Sequence, residues 1–553
     1  MINNKKKIII FGILAILILA IFFINKWISN TVLEPANGGR YTEGVVGFPE
    51  FSNPFIKTSN KVDTALNRLI FSSITKLGED LKPKLDLALS YETDKDKKVY
   101  TFHLRKNILW HDGKKLTADD IVFTFNFAKR LPSLNQKFEK INRLKIEKID
   151  ELSFRIISPE PSPTLLSSLY FPILPKHIWE NVPLEKAENN ILNIQPIGSG
   201  PFIFKEIKID NSGNAKSYTL KRNDYFYKKP PYLEEITFIF YPDTEKAFKA
   251  LEHKEIQGIG FLPKNLNFLS NSENLNTYKL TLPQYVGLFF NLKNKNSPFS
   301  GKTGKSLRKA LYSLVQKGKI PPVLEGIAFP VNSSLIDVYI NPSEKQSFSS
   351  VNEYDAKKAE NLLRSLGWKK TNQFWEKDGK TLEITITTPK DKTLEEVGAF
   401  LKKNWEKSGI KTRINIVSKN EIAHILKTKN FEALLYGVLG GLPSQQYAFW
   451  HSPSAENEFI NLTGFSNRKA DELLELSAIS IYKGNEDYLK YLKEFQEIIA
   501  DEHPAIFLYS PYYIYLVDKK IKGVKASYLL SPEDRLSGIE NWYVKMKRVK
   551  KNS

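Results

Sequence analysis

The first thirty residues follow a different pattern from the rest of the chain. Ile8 to Ile24 form an uncharged, mostly bulky apolar run of seventeen residues, and three lysines, Lys5 to Lys7, precede it. At about 1.5 Å per helical residue the run is about 25 Å long, close to the ~30 Å hydrocarbon core of a bilayer. Residues 1–30 are therefore predicted to be a basic cytoplasmic stub and a transmembrane helix, with the remaining chain outside.

A cleaved signal peptide is the alternative interpretation of this segment. Such peptides usually have a shorter apolar region that ends in a small-x-small cleavage site. Residues 21–27 read Ile-Phe-Phe-Ile-Asn-Lys-Trp and contain no such site. We therefore expect a single-pass protein of a bacterial cell membrane, held by an uncleaved signal anchor; cleavage would give a secreted or periplasmic protein.

Beyond a polar linker at 31–40, strand and helix patterns are mixed. Apolar and β-branched residues predict strands at 99–104, 152–156, 217–222, 235–240, 382–386 and 411–417. Thr117 and Asp120 have the spacing of a capping box before a helix, and Asp378-Gly379 predicts a tight hairpin turn. Further helices are predicted from Asp355 to Leu366 and over 394–408. The pattern predicts a mixed α/β fold.

Composition narrows the possible functions. At 553 residues and 41% apolar the chain is long enough for two lobes, and the absence of cysteine excludes disulfides and thiolate metal sites. The seven histidines lack the spacing of a metal site, and no nucleophile, base and orienting group occur together. We therefore expect no metal, no cofactor and no enzymatic activity. The net charge of +20 is scattered over many lysines, with a basic tail at 546–553.

One segment resembles a known family. Residues 100–123 read as a strand, a Trp110-x-Asp112-Gly113 turn and a capped helix. Colinear motifs follow at 198–202, 220–225, 289–291, 307–311, 356–368, 408–410, 464–474 and 504–509. This order resembles family 5 of the extracellular solute-binding proteins, the oligopeptide and dipeptide receptors of ABC importers.

The resemblance implies a two-lobed, periplasmic-binding-protein-like fold with a hinge and a central ligand cleft. The first lobe would comprise 41–282 and the returning segment 504–545, and the second lobe 283–503. The chain would cross between them near 280–284 and again near 502–505. Such a receptor closes over a peptide-like ligand and delivers it to a permease and its ATPase subunits. We expect it to be monomeric.

The resemblance also implies where ligand would be contacted. The expected residues come from an early loop, from the first crossing and from the loop after Leu435; they are Asn53, Tyr285, Asn291, Gly440, Gly441, Tyr447 and Tyr509. Peptide-binding relatives typically have Gly-Trp-x-x-Asp in that last loop, where Val438 and Gly441 stand here. In those relatives the Asp pairs with the free amino terminus of the peptide. Glu50 or another acid would have to replace it, or the ligand lacks an ammonium group.

Two other functions fit the sequence. A membrane-anchored interaction protein would use the +20 charge to bind an anionic polymer or nucleic acid, with binding that collapses in salt. A sensing co-receptor would report ligand occupancy without transport. We expect no specific binding of nucleic acid, so both are alternatives to the receptor.

Overall fold

The structure is a computed structural model. It describes residues 4–51, 53–55, 60–78, 83–130, 139–160, 162, 165–262, 273–293, 297–320, 324, 326–340, 354–452, 461–482, 486–525 and 528–550.

Twenty-three strands lie in the described part of the chain. They are β1 Thr31–Ala36, β2 Arg40–Val46, β3 Thr75–Leu77, β4 Pro83–Leu85, β5 Ala88–Thr93, β6 Val99–Leu104, β7 Lys145–Lys148, β8 Ser153–Ile157, β9 Phe202–Ile209, β10 Ala215–Arg222, β11 Glu235–Tyr241, β12 Gly258–Phe261, β13 Leu275–Thr281, β14 Tyr285–Phe290, β15 Ala328–Pro330, β16 Lys369–Thr371, β17 Phe374–Lys377, β18 Lys380–Thr381, β19 Glu383–Pro389, β20 Lys411–Val417, β21 Ala433–Val438, β22 Ala505–Asp518 and β23 Lys545–Lys550.

The helices of the described residues are α1 Asn4–Ser29, α2 Lys61–Ile70, α3 Ala118–Arg130, α4 Glu139–Asn142, α5 Leu165–Ser168, α6 Lys176–Trp179, α7 Leu184–Ala187, α8 Thr244–Glu252, α9 Gly301–Ser313, α10 Ala356–Ser365, α11 Lys392–Lys407, α12 Lys419–Thr428, α13 Gln446–Trp450, α14 Arg468–Tyr482 and α15 Tyr488–Glu502. With the strands they form the predicted mixed α/β fold.

The long strand β22 joins two lobes. Its first half pairs with β14 and β15, and its second half pairs with β12 and β13. Apolar side chains up to Tyr509 belong to cores built from residues 285–509, whereas those from Tyr513 onward belong to cores built from the two ends of the chain. The fold is therefore two-lobed, with one crossing between Leu282 and Tyr285.

The second crossing differs from the sequence-based expectation. The motif at 504–509 places it near residues 502–505, but residues 505–511 still pair with strands of the second lobe. The crossing along β22 lies between Tyr509 and Tyr513. The two buried halves of β22 are separated at this boundary by the partly exposed Pro511 and Tyr512, and Ser510-Pro511 interrupts the apolar run in the sequence.

The described residues of the segments predicted as linker and tail pair with each other. Strand β1, within residues 31–40, pairs antiparallel with β23 of the basic tail, with Thr31 opposite Lys550 and Ala36 opposite Lys545. Arg548 lies 5.2 Å from the ring of Trp27 at the end of α1, and its guanidinium donates to the Thr31 hydroxyl at 3.1 Å. The pairing partner is more than five hundred residues away, so no local pattern predicts it.

Several local predictions are confirmed. Asp120 accepts a hydrogen bond from the Thr117 amide at 2.9 Å, and α3 begins at Ala118. Asp378 and Gly379 both have positive φ, 51° and 73°, as the predicted hairpin turn between β17 and β18 requires. Within the motif at 198–202, a Cβ at Gly198 would lie 1.9 Å from the Ile70 carbonyl oxygen. Only glycine allows this close approach.

Candidate ligand-binding site

Two adjoining cavities lie between and beside the lobes. The larger has a volume of about 850 Å³ and is lined from the first lobe by Lys76 and Tyr170 and from the second by Tyr339, Tyr488 and residues 442–444, among others. The smaller has a volume of about 430 Å³ and is lined mostly by the first lobe. Lys76 and Tyr170 line both cavities, so the two are neighbours across these side chains.

Helix α2 supplies one wall of the smaller cavity. The Asn60 side chain caps it by accepting from the Val62 and Asp63 amides. Asp63 in turn accepts from the amides of Glu50 and Phe51, at 3.1 and 3.2 Å, which fixes the early loop against the helix. The same helix presents Arg68 to the cavity.

Most charges around the smaller cavity are paired. Arg68 forms an ion pair with Asp534, donates to the Ser531 hydroxyl at 3.2 Å and lies 5.4 Å from the Tyr170 ring centre. Lys76 lies 3.4 Å from Glu540. Asp86 pairs with Lys228, and burial lowers the pKa of that lysine even though the Asp86 charge opposes the shift.

A second buried ion pair lies behind this wall. Arg535 donates to Glu43 at 2.8 Å, and the Glu43 side chain is fully buried. The hydroxyl of Tyr41 also donates to Glu43, and that of Tyr515 does so at 3.1 Å. This network fixes the short helical turn Pro532–Leu536 against β2 and β22.

Asn53, Gly440 and Gly441 lie just before cavity-lining residues along the chain, and Tyr447 lies on the following helix α13. The Asn53 side chain is buried, accepts from the Phe55 amide at 3.0 Å and is followed by Pro54, which lines the smaller cavity. Gly440 and Gly441 directly precede the residues 442–444 that line the larger cavity. Tyr447 is partly exposed and stacks on the His451 ring.

Tyr285, Asn291 and Tyr509 are buried within the second lobe. The Tyr285 ring packs edge-on against Phe507, and Tyr509 is 1% exposed in the core of the second lobe. The amide of Asn291 donates to the carbonyl oxygens of Lys429 and Phe431, which fastens β14 to the start of β21. None of the seven predicted side chains belongs to the described lining of either cavity, and their contact with ligand stays a prediction.

Gly441 stands where the family resemblance leads us to expect an acid, and its surroundings are tight. A Cβ there would lie 2.8 Å from Ile336 Cδ1 and 3.1 Å from the Pro283 carbonyl carbon. The Gly441 amide donates to the Pro283 carbonyl at 3.1 Å. The loop therefore packs its backbone on the first crossing, where a larger residue would need the neighbours to move.

Sequence reasoning missed the residues that line the cavities most closely, including Arg68, Lys76, Tyr170, Tyr339 and Glu533. The acid-acid-base run at 533–535 is visible in the sequence. Charged runs usually lie in solvent, so its burial could not be expected. No group of three or more histidine, aspartate or glutamate side chains that could hold a metal occurs in the described residues.

Comparison with known proteins identifies the family. The model of the bacterial extracellular solute-binding proteins, family 5, matches residues 82–459, more than two thirds of the chain. The protein belongs to this family. The oligopeptide-binding protein AppA of Bacillus subtilis is 28% identical over 565 residues, which cover 98% of this chain and 99% of AppA. The dipeptide-binding protein of Escherichia coli is 22% identical over 512 residues, with coverages of 86% and 90%.

Solved structures of family members share the fold. AppA from Bacillus subtilis in complex with a nonapeptide has a TM-score of 0.65 at 28% identity, covering 93% of this chain and 100% of that one. NikZ from Campylobacter jejuni in complex with Ni(L-His) has a TM-score of 0.69 at 26% identity, with coverages of 91% and 99%. These two relatives hold different kinds of solute, so the family alone does not fix the ligand.

Proposed function

We propose that this protein is the receptor of an ABC importer and that it binds peptides between its two lobes. The observation that carries the proposal is the cavity of about 850 Å³ lined from both lobes, which adjoins a second cavity of about 430 Å³. Together they offer more room than an amino acid needs. The nearly full-length similarity to AppA, an oligopeptide-binding protein, supports a peptide as the ligand.

The receptor acts by closure. A ligand that contacts Tyr170 on one side and the 442–444 segment on the other would stabilise the closed arrangement. The hinge would consist of the link between β13 and β14 and the middle of β22. The closed lobes would then dock on a permease that works with ATPase subunits. The first lobe would comprise 41–282 and 504–545, and the second lobe 283–503. The later crossing along β22 changes one bound, because the start of β22 then belongs to the second lobe.

Retained ligand provides the test. The protein purified without added ligand is denatured, and the released small molecules are identified by mass spectrometry. Peptides are expected, because a cleft that closes over a ligand releases it slowly. A nickel chelate is the second candidate, favoured by the similarity to NikZ. An anionic polymer with salt-sensitive binding would instead support the interaction protein.

We also propose that the N-terminal helix is an uncleaved anchor. Residues Phe11–Ile28 are long and apolar enough to cross a membrane, with a mean hydropathy of 2.3 and none of the segment buried. The carbonyl of Trp27 accepts from the Thr31 hydroxyl at 2.8 Å, and Arg548 lies over the Trp27 ring, so the helix end is fastened to the β1–β23 ribbon. N-terminal sequencing of the membrane-extracted protein tests this: an N-terminus beyond residue 25 would mean cleavage.

A further inference from the structure

The smaller cavity has an uneven charge balance. Three cations, Lys61, Arg68 and Lys76, and four carboxylates, Asp63, Asp86, Glu533 and Glu540, belong to its lining. Arg68 and Lys76 pair with Asp534 and Glu540, and Asp86 pairs with Lys228 from outside the lining. Asp63 accepts two backbone amides. Glu533 is the carboxylate left over.

The two residues that follow Glu533 both form ion pairs, whereas Glu533 does not. Asp534 pairs with Arg68, and its second oxygen accepts from the amides of Leu530 and Ser531. Arg535 pairs with Glu43. Glu533 is only 5% exposed, its Oε1 has no hydrogen-bond partner among the described residues, and no described cation forms an ion pair with it.

A buried carboxylate without a partner is unfavourable unless a cation or several donors meet it. Its neighbour Arg68 is already engaged by Asp534, Ser531 and the Tyr170 ring. Burial opposes the shift, but the charges of Asp534 and Glu533 help raise the pKa of Arg68, so Arg68 is the described cation that feels the Glu533 charge while forming its ion pair with Asp534. The described residues therefore leave Glu533 without an ion-pair partner of its own. The cavity of about 430 Å³ has room for an aminoacyl group, and it borders the cavity between the lobes at Lys76 and Tyr170.

We propose that Glu533 binds a positively charged group of the ligand, an ammonium or a guanidinium, that enters the smaller cavity from the cleft. This inference rests on the proposed function and adds the charge class of the ligand. It also gives the receptor an acid in the first lobe, in place of the one absent at Gly441 in the second. The ligand's cation would thus be held by the lobe opposite to the one expected from the family motif.

Three matched peptides test the proposal on the full chain in detergent micelles. They are tetra-alanine, N-acetyl-tetra-alanine, which has no ammonium group, and N-acetyl-Ala-Lys-Ala-Ala, which regains one on a side chain. Isothermal titration calorimetry measures each affinity. We expect at least one of the cationic peptides to bind wild-type protein about 10- to 100-fold more tightly than the neutral one, as a charge-assisted contact implies.

The variant Glu533→Gln keeps the side-chain shape and removes the charge. It should reduce that preference to less than about threefold while the affinity for N-acetyl-tetra-alanine is unchanged. Glu533→Asp should keep part of the preference. Glu472→Gln, an exposed carboxylate outside the lining of both cavities, is the matched control and should keep all of it.

The outcomes separate the two proposals. An undiminished preference in Glu533→Gln, or equal binding of all three peptides by wild-type protein, overturns the inference and leaves the peptide receptor intact. Failure of wild-type protein to bind any of the three overturns the peptide assignment, and the inference falls with it. A melting curve of Glu533→Gln like that of wild type shows that a lost preference does not come from misfolding.

Discussion

The two lobes handle buried charge in different ways. In the first lobe, carboxylates and guanidinium groups pair directly, as Glu43 with Arg535 and Arg68 with Asp534. In the second, Arg308 donates to the carbonyl oxygens of Phe299, Glu502 and His503, and the partly exposed Glu502 carboxylate lies farther away, 3.7 Å from its guanidinium. Lys317 in that lobe is buried with only the Asn332 amide oxygen and the Tyr312 ring as described partners.

This difference bears on ligand binding. The second lobe contributes the Gly441 loop, which has no acid, whereas the first contributes Glu533. A ligand cation would therefore bind to Glu533 on the first-lobe side of the cleft. The Gly441 loop on the second-lobe side would contact the ligand through its backbone groups. Substitutions of Arg535, Lys317, Gly441 and Tyr339 test this comparison.

The largest effect is expected from Arg535→Met. It leaves Glu43 fully buried without its cation, which typically costs about 3–5 kcal/mol of the free energy of unfolding. Urea unfolding followed by tryptophan fluorescence measures the loss. The control is Arg468→Met, because the Arg468 side chain is 95% exposed beside Glu472 and should leave the midpoint unchanged. Equal midpoints for both variants would show that the buried network does not stabilise the first lobe.

Lys317→Met should stabilise the protein. Burial lowers the pKa of Lys317 from 10.5 to about 7, so between these values the unfolded chain holds a proton that the folded chain has released. Wild-type stability therefore rises with pH across this window, and at pH 6 the folded protein carries the full penalty of the buried charge. At pH 6 the free energy of unfolding of the variant should exceed that of wild type by about 2–4 kcal/mol.

The pH dependence distinguishes this effect from better packing. The advantage of Lys317→Met should shrink steadily above pH 7 and be nearly gone at pH 10.5, as urea unfolding at several pH values will show. Lys319→Met, on the same short helical turn but exposed, should show no such trend. An advantage that is the same at pH 6 and at pH 10 would contradict the assignment.

Gly441→Asp tests whether the acid of the relatives can simply be restored. The new Cβ would lie 2.8 Å from Ile336 Cδ1 and 3.1 Å from the Pro283 carbonyl carbon, so we expect a loss of about 1–3 kcal/mol in unfolding free energy. Adding Ile336→Ala should recover part of the loss. Gly437→Ala in the same loop is the control, because its Cβ would meet only Val286, at an ordinary 3.6 Å. Unchanged stability of Gly441→Asp would mean that the loop can yield.

The sequence could predict those features that depend on local pattern or on family motifs. The Asp378-Gly379 turn, the start of α3 at Ala118 and the mixed α/β fold follow from residue spacing and turn chemistry. The pairing of β1 with β23 and the change of partner along β22 depend on contacts between distant residues. Glu533 belongs to the same class, because its burial and lack of a partner arise from how the chain ends return to the first lobe.

The smallest effect is expected at a contact between the lobes. Tyr339 lines the larger cavity from the second lobe. Its hydroxyl lies 2.6 Å from the Leu529 carbonyl oxygen and 2.7 Å from that of Thr281, and both of these residues belong to the first lobe. Tyr339→Phe keeps the ring but leaves these carbonyls without the hydroxyl, at a cost of about 1 kcal/mol. If this contact helps hold the lobes together over a ligand, affinity for tetra-alanine should fall about fivefold. Tyr225 is 77% exposed and lines neither cavity, so Tyr225→Phe is the control and should bind like wild type. An affinity of Tyr339→Phe equal to wild type would mean that the cleft closes without this contact, and that the hinge alone sets how the lobes meet.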